Sequence, residues 1–235
     1  MKNKKLYPWL VVCMLWFVAL LNYLDRQMLS TMKPSMMIDI AELVSATNFG
    51  RLMAVFLWVY ALMSPISGII ADRLNRKWLI VCSLFVWSAV TLLMGYATTF
   101  NQLYALRAIM GISEAFYIPA GLALIADYHD GKTRSLAIGI HTTGIYLGQA
   151  LGGFGATIAS NFSWQLTFLS FGLLGMAYSL VLILFLKEKK GYVQEKLHGN
   201  SILKEFKTSF KGLGMLLGNI SFWVILFYFS APSLP

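Results

Sequence analysis

Two short stretches put formal charge where the surrounding chain is apolar. "LLNYLDRQMLS", residues 20–30, carries Asp25 and Arg26 side by side, and "LRAIMGISEAFYIPAG", residues 106–121, carries Arg107 and Glu114. In a hydrocarbon setting each such group costs about 2.5–3.5 kcal/mol on insertion scales, so it has to face a polar cavity or an opposite charge. A buried carboxylate can take up and release a proton, and a guanidinium holds a carboxylate through two parallel hydrogen bonds. The chemistry on offer is anion recognition and proton exchange. On a helix, the step from Arg107 to Glu114 is about two turns, which puts both on one face roughly 10 Å apart. No His/Cys/carboxylate cluster at metal-ligand spacing, nucleophile motif or phosphate-cradling loop stands beside them, so the expectation is a non-enzyme with no cofactor and no metal.

These charges must be positioned by membrane helices. Of the 235 residues, 58% are hydrophobic and 12% charged, against about 25% charged residues in soluble domains. Apolar runs long enough to cross a bilayer of about 30 Å fall at 7–32, 48–70, 77–97, 101–127, 133–159 and 163–186. The first follows the basic "MKNKK" but is too long for a secretory signal and lacks a small-residue cleavage site. The expectation is an all-α membrane protein: a six-helix transmembrane bundle over 1–186, a basic linker over 187–218 and the start of a seventh helix over 219–235, truncated at Pro235. Within the linker, "ILKEFKTSFKGLGMLL" suits an amphipathic helix on a membrane surface. Six spans, a basic linker and the start of another unit suggest one half of a twelve-helix protein, with a C-terminal half missing and any site shared between halves incomplete.

The net charge of +9 is placed asymmetrically. Lys2, Lys4 and Lys5 precede the first span; Arg73, Arg76 and Lys77 follow the second; Lys132 and Arg134 follow the fourth; and seven lysines lie between Lys187 and Lys211. By the positive-inside rule that side and the N-terminus are cytoplasmic. The excess sets topology and suits anionic lipid in the bilayer; it implies no nucleic-acid partner. Of the four remaining basic residues, Lys33 and Arg51 flank an outer loop with Asp39 and Glu42, where solvation suffices. The first span then runs outward, with Asp25 about seven residues short of its outer end. The fourth runs inward, with Arg107 about six residues past its outer start. The depths agree, so Asp25, Arg26, Arg107 and Glu114 are expected to face one cavity, where two acids and two bases offset each other's burial.

Other features read more plainly. Cys13 and Cys82 fall inside spans and are expected to pack rather than pair. Gly144, Gly148 and Gly152 lie four apart on one face of the fifth span, the spacing of close helix packing in lipid. His141 in the same span is either a hydrogen-bonding packing residue or a proton relay. His129 and His198 fall in inner loops, where solvation explains them.

Between the second and third spans stands "GIIADRLNRKW", residues 68–78, with Gly68, Asp72, Arg73, Arg76 and Lys77 in a compact turn. A solvated loop obeying the positive-inside rule would look similar, but the spacing G-x-x-x-D-R-x-x-R-K resembles the signature loop of the major facilitator superfamily. That resemblance implies that Asp72 and Arg73 act as a gate, locking the inner ends of two halves. "NYLDR" in the first span, Tyr60 eight residues before Gly68, and the "R…G…EA…P" order of the fourth span are similar to the anion:cation symporter family, whose sugar-acid members couple uptake to protons. Spinster-type transporters carry a similar pattern. The symporter resemblance implies secondary active transport by alternating access of a small anionic substrate, such as a hexuronate or aldonate, together with protons. Residue by residue it implies Arg26 at the substrate carboxylate, Tyr23 lining the pocket with Tyr60 a further pocket candidate, Asp25 and Glu114 as proton carriers and Arg107 tuning them. The alternatives are a spinster-like lipid or lysolipid transporter and a non-transporting truncated remnant. The implied location is a multi-pass cell membrane of bacterial inner-membrane type.

Overall fold

A computed structural model describes residues 3–189, 215 and 217–230. The chain forms α1 (Asn3–Thr31), α2 (Lys33–Asp39), a short 3-10 turn (Ala41–Val44), α3 (Ala46–Ala71), α4 (Arg76–Met94), α5 (Phe100–Glu114), α6 (Tyr117–Tyr128), α7 (Arg134–Gly152), α8 (Gly155–Asn161), α9 (Trp164–Phe185) and α10 (Ile220–Ser230). It is an all-α membrane fold, a six-helix bundle followed by the start of a seventh helix. The linker expected over 187–218 falls largely outside the described residues, as does His198. Residues Met1–Lys190 form one compact unit and Gly191–Pro235 another.

Side-chain caps set where several helices begin. Ser45, Asn75 and Ser163 accept from the amides of Asn48, Trp78 and Leu166 at the starts of α3, α4 and α9, and Thr99 with Gln102 forms a capping box at α5. Two expected spans are broken. The fourth divides at 115–116 because Pro119 cannot donate to the Ala115 carbonyl and its ring crowds it. The fifth divides after Gly152 and Gly153, a glycine pair that weakens the helix. Five described segments are long and apolar enough to cross a membrane alone: Leu6–Thr31, Ala46–Ala71, Arg76–Met94, Phe100–Tyr128 and Trp164–Phe185. Helix α7 falls short of that measure, diluted by glycine, threonine, His141 and Gln149.

In compensation α7 is pressed onto α1. A β carbon on Gly144 would lie 2.6 Å from the Trp16 carbonyl oxygen, one on Gly148 would collide with that of Leu20, and one on Gly152 would lie 2.9 Å from that of Leu24. The expected packing role of these glycines holds. Sequence reading passed over two similar contacts: Gly111 of α5 against the Phe56 carbonyl of α3, and Gly172 of α9 against the Leu92 backbone of α4.

Two expectations fail. Cys13 and Cys82 are unpaired but exposed on the bundle surface rather than packed inside. His129 is buried, not solvated: its Nδ1 lies 3.1 Å from Thr133 Oγ1 and its ring meets Trp9 edge-on at 4.7 Å. In the outer loop Asp39 accepts from Trp164 Nε1 and Gln165 Nε2 at 2.7 and 2.8 Å, tying α2 to the start of α9.

Candidate functional site

Arg26, on α1, lies at the meeting of α1, α3 and α5. Its Nε donates to Glu114 Oε2 at 2.7 Å, and Glu114 is fully buried. Three rings surround the guanidinium, Tyr23 and Phe56 at 4.8 Å and Tyr60 at 4.7 Å from Cζ. Ring faces carry negative potential, so this cage stabilises the cation without supplying a second acceptor. Arg26 Nη2 and Glu114 Oε1 have no hydrogen-bond partner among the described residues. Arg107 also approaches Phe56, its Cζ 4.4 Å from the ring centroid. Its Nη1 donates to Met110 Sδ at 3.3 Å and its Nε has no partner among the described residues. A pocket of about 180 Å³ opens here, lined by Tyr23, Arg26, Gln27, Ser30, Met53, Phe56, Leu57, Arg107 and Gln149.

The expectation of four charges on one cavity needs correction. Arg26 and Arg107 line the pocket, whereas Glu114 lies behind Arg26 and Asp25 turns toward α4, where Thr91 Oγ1 donates to its Oδ2 at 3.2 Å. Consecutive helical residues diverge by about 100°, so Asp25 and Arg26 cannot share a face. Tyr60 belongs to the cage rather than the pocket lining. His141 is buried, its Nε2 2.8 Å from the Tyr117 hydroxyl, which donates to the Leu15 carbonyl at 2.7 Å. With the phenolic proton so engaged, His141 donates from Nε2 and acts as a packing link between α7 and α6. Phe56 was missed in the sequence, although it sits four residues before Tyr60 and shares its face. Thr91 carried no signal beyond being a hydroxyl in an apolar span. Among the described residues no group of three or more His, Cys, Asp or Glu could hold a metal.

The signature loop lies at the basic rim, the end of the bundle where α3, α6 and α9 finish. Arg76 is buried there rather than solvated: it donates to the carbonyls of Ala71 at 3.5 Å and Ala123 at 3.1 Å, pairs with Asp127 and approaches Asp72 at 4.0 Å. The Lys77 amide donates to Glu188 Oε2 and its Nζ to the Ile183 carbonyl, both at 2.8 Å. Tyr7 donates to the Phe185 carbonyl at 2.9 Å and accepts from the Lys187 amide at 2.8 Å, and Tyr128 donates to the Lys187 carbonyl at 2.9 Å. Basic and phenolic side chains thus satisfy the orphan carbonyls at helix C-termini, the negative ends of the helix dipoles. Asp72 is exposed, Arg73 is half-buried, and a β carbon at Gly68 would meet nothing within 4 Å. Asp127 and Glu188 were missed, although acids at a basic rim are themselves a signal. Burial raises the Glu188 carboxyl above its ordinary value, opposed by the Lys77 amide hydrogen bond.

Fold and site together define a multi-span membrane protein that keeps an ion pair and a partly open, aromatic-walled pocket inside its helix bundle. The chain belongs to the Major Facilitator Superfamily, whose family model matches residues 15–234. It is 27% identical over 225 residues to Protein spinster of Drosophila melanogaster, covering 93% of this chain and 36% of that protein. It is 28% identical over 180 residues to the hexuronate transporter of Bacillus subtilis (strain 168), covering 76% and 42%. The crystal structure of a bacterial homolog to the human lysosomal transporter Spinster, inward-facing and unoccupied, superposes with a TM-score of 0.69 at 27% identity, covering 77% of this chain and 43% of that one. The chain thus spans less than half the length of these relatives.

Proposed function

We propose that the protein is a secondary active transporter in a cell membrane, moving a small organic anion of the sugar-acid type together with protons by alternating access, with its N-terminus cytoplasmic. The observation that carries this reading is Arg26: a guanidinium on the pocket wall, held by one carboxylate and three rings, with Nη2 left over. A substrate carboxylate reaching it competes with Glu114. Competition of two carboxylates for one cation links anion binding to the proton that Glu114 carries. Asp25 is the second carrier, Tyr23 and Tyr60 shape the cation's surroundings, and Arg107 holds positive potential over the pocket. Gly68, Asp72, Arg73, Arg76 and Lys77 form the gate side of the machine, working against a second half. The chain's likeness to spinster proteins over most of its length supports a second reading, a lysolipid substrate.

Proton-driven uptake and counterflow measured side by side in vesicles test the proposal, using the full-length protein and a panel of hexuronates, aldonates, sialic acid and lysolipids. Glu114→Gln should exchange a sugar acid across the membrane yet fail to accumulate it under a pH gradient. Accumulation equal to wild type would make Glu114 structural, and uptake of lysolipid alone would favour the second reading.

A further inference from the structure

We propose that Thr91, on α4, is a positioning residue for the Asp25 carboxyl, its hydroxyl turning with the proton that Asp25 gains or loses. This rests on the reading of Asp25 as a proton carrier. Thr91 is fully buried, and its Oγ1 lies between two acceptors: Asp25 Oδ2 at 3.2 Å and the Trp87 carbonyl, one helical turn back, at 3.0 Å. A hydroxyl has one proton to give and two lone pairs to receive. When Asp25 is ionised, the hydroxyl donates to it. When Asp25 is protonated, the carboxyl donates to Oγ1 and the hydroxyl swings to the Trp87 carbonyl. Either way Asp25 Oδ2 keeps a partner, and the change needs one rotation about a C–O bond with no shift of α1 against α4.

Asp25 makes no salt bridge among the described residues. The charged groups that act on it are Glu114 and Arg107, both on α5, while Arg26 on its own helix is committed to Glu114. Thr91 is its hydrogen-bond partner, and it comes from a helix that contributes nothing to the pocket lining. The arrangement keeps the carboxyl in one place through a change of charge that would otherwise pull a side chain out of position or leave an anion bare.

Infrared difference spectra of the purified full-length protein, taken between alkaline and acid pH, test this without any substrate. Wild type should show a protonated-carboxyl C=O band that Asp25→Asn removes. In Thr91→Val, of nearly the same shape but without a donor, the ionised form loses a charge-assisted hydrogen bond, so the band should persist to higher pH by about one unit and move to higher frequency. Thr91→Ser should restore both, and Thr91→Ala replaces the valine variant if that does not fold. An unchanged midpoint and frequency in the valine or alanine variant would reduce Thr91 to packing and overturn the proposal, leaving Asp25 as carrier. If Asp25→Asn removes no band, Asp25 exchanges no proton, and the reading beneath the proposal falls with it.

Discussion

Arg26 and Arg76 are both withdrawn from solvent, yet they are held in opposite ways. Arg76 is held by main-chain carbonyls from two helices and by the Asp127 carboxylate, with Asp72 at 4.0 Å. Arg26 has one carboxylate and three ring faces, and part of its hydrogen-bonding capacity goes unused. Carbonyls of a helix end neither titrate nor leave, so an arginine fixed by them is a fastening. A carboxylate and a set of rings can be exchanged for another anion, so an arginine held by them is available for work. Incomplete satisfaction inside a bundle costs free energy, and Arg26, Glu114 and Arg107 each carry one such buried polar atom without a partner among the described residues.

The contrast is sharpest in stability. Arg76→Ala should destabilise the full-length protein by about 3–5 kcal/mol, the range for breaking a buried pair. Adding Asp127→Asn should recover little, because the Ala71 and Ala123 carbonyls stay abandoned. Arg26→Ala leaves the fully buried Glu114 carboxylate bare and should cost a similar amount, but Glu114→Gln should return most of it, since a neutral amide removes the bare charge. Unfolding midpoints of the four variants in detergent decide this, and equal rescue in both pairs would erase the distinction. In binding the two separate: Arg26→Ala should abolish sugar-acid binding, read by calorimetry, while any folded Arg76 variant retains it. Tyr7→Phe, which removes one donor and one acceptor from the basic rim, should cost about 1 kcal/mol with transport unchanged.

The smallest effect concerns Glu188. Its carboxyl is raised above its ordinary value of 4.5 by burial, so its contribution is fully present below that ordinary value and is lost as pH rises through the raised one. Mild acidification should therefore firm the rim, by an amount reduced by partial solvent exposure, and Glu188→Gln should flatten that pH dependence. Hydrogen exchange of the Lys77 amide as a function of pH is the readout.

Much of this was legible in the sequence, for identifiable reasons. Five of the spans follow from apolar length, a property of the chain alone, whereas α7 falls short of that measure. Arg26, Glu114 and Arg107 stood out because charge in hydrocarbon is costly whatever the fold. The glycine stripe on α7 could be read because helical periodicity fixes its face. The pairing of Arg26 with Glu114, and the turning of Asp25 toward Thr91, depend on the rotation of α1 about its axis, and the apolar run carries no record of that. The break at 115–116 was written in "FYIPAG", where Pro119 removes a helical donor, but a long apolar run masked it. His129 reads as a solvated loop residue because a short loop gives no sign of the helices folded over it.

The near-collision between α7 and α1 makes tolerance to substitution one-sided. At Gly148 the obstructing atom is the main-chain carbonyl oxygen of Leu20, an atom that all twenty residue types possess. No replacement at position 20 can make room for a side chain at position 148, whereas position 20 can change its side chain freely as far as this contact is concerned. Variation accumulating across this seam should therefore be independent rather than compensatory. One wall drifts while the facing glycine stays fixed, and a search for correlated changes would miss one of the tightest contacts in the bundle.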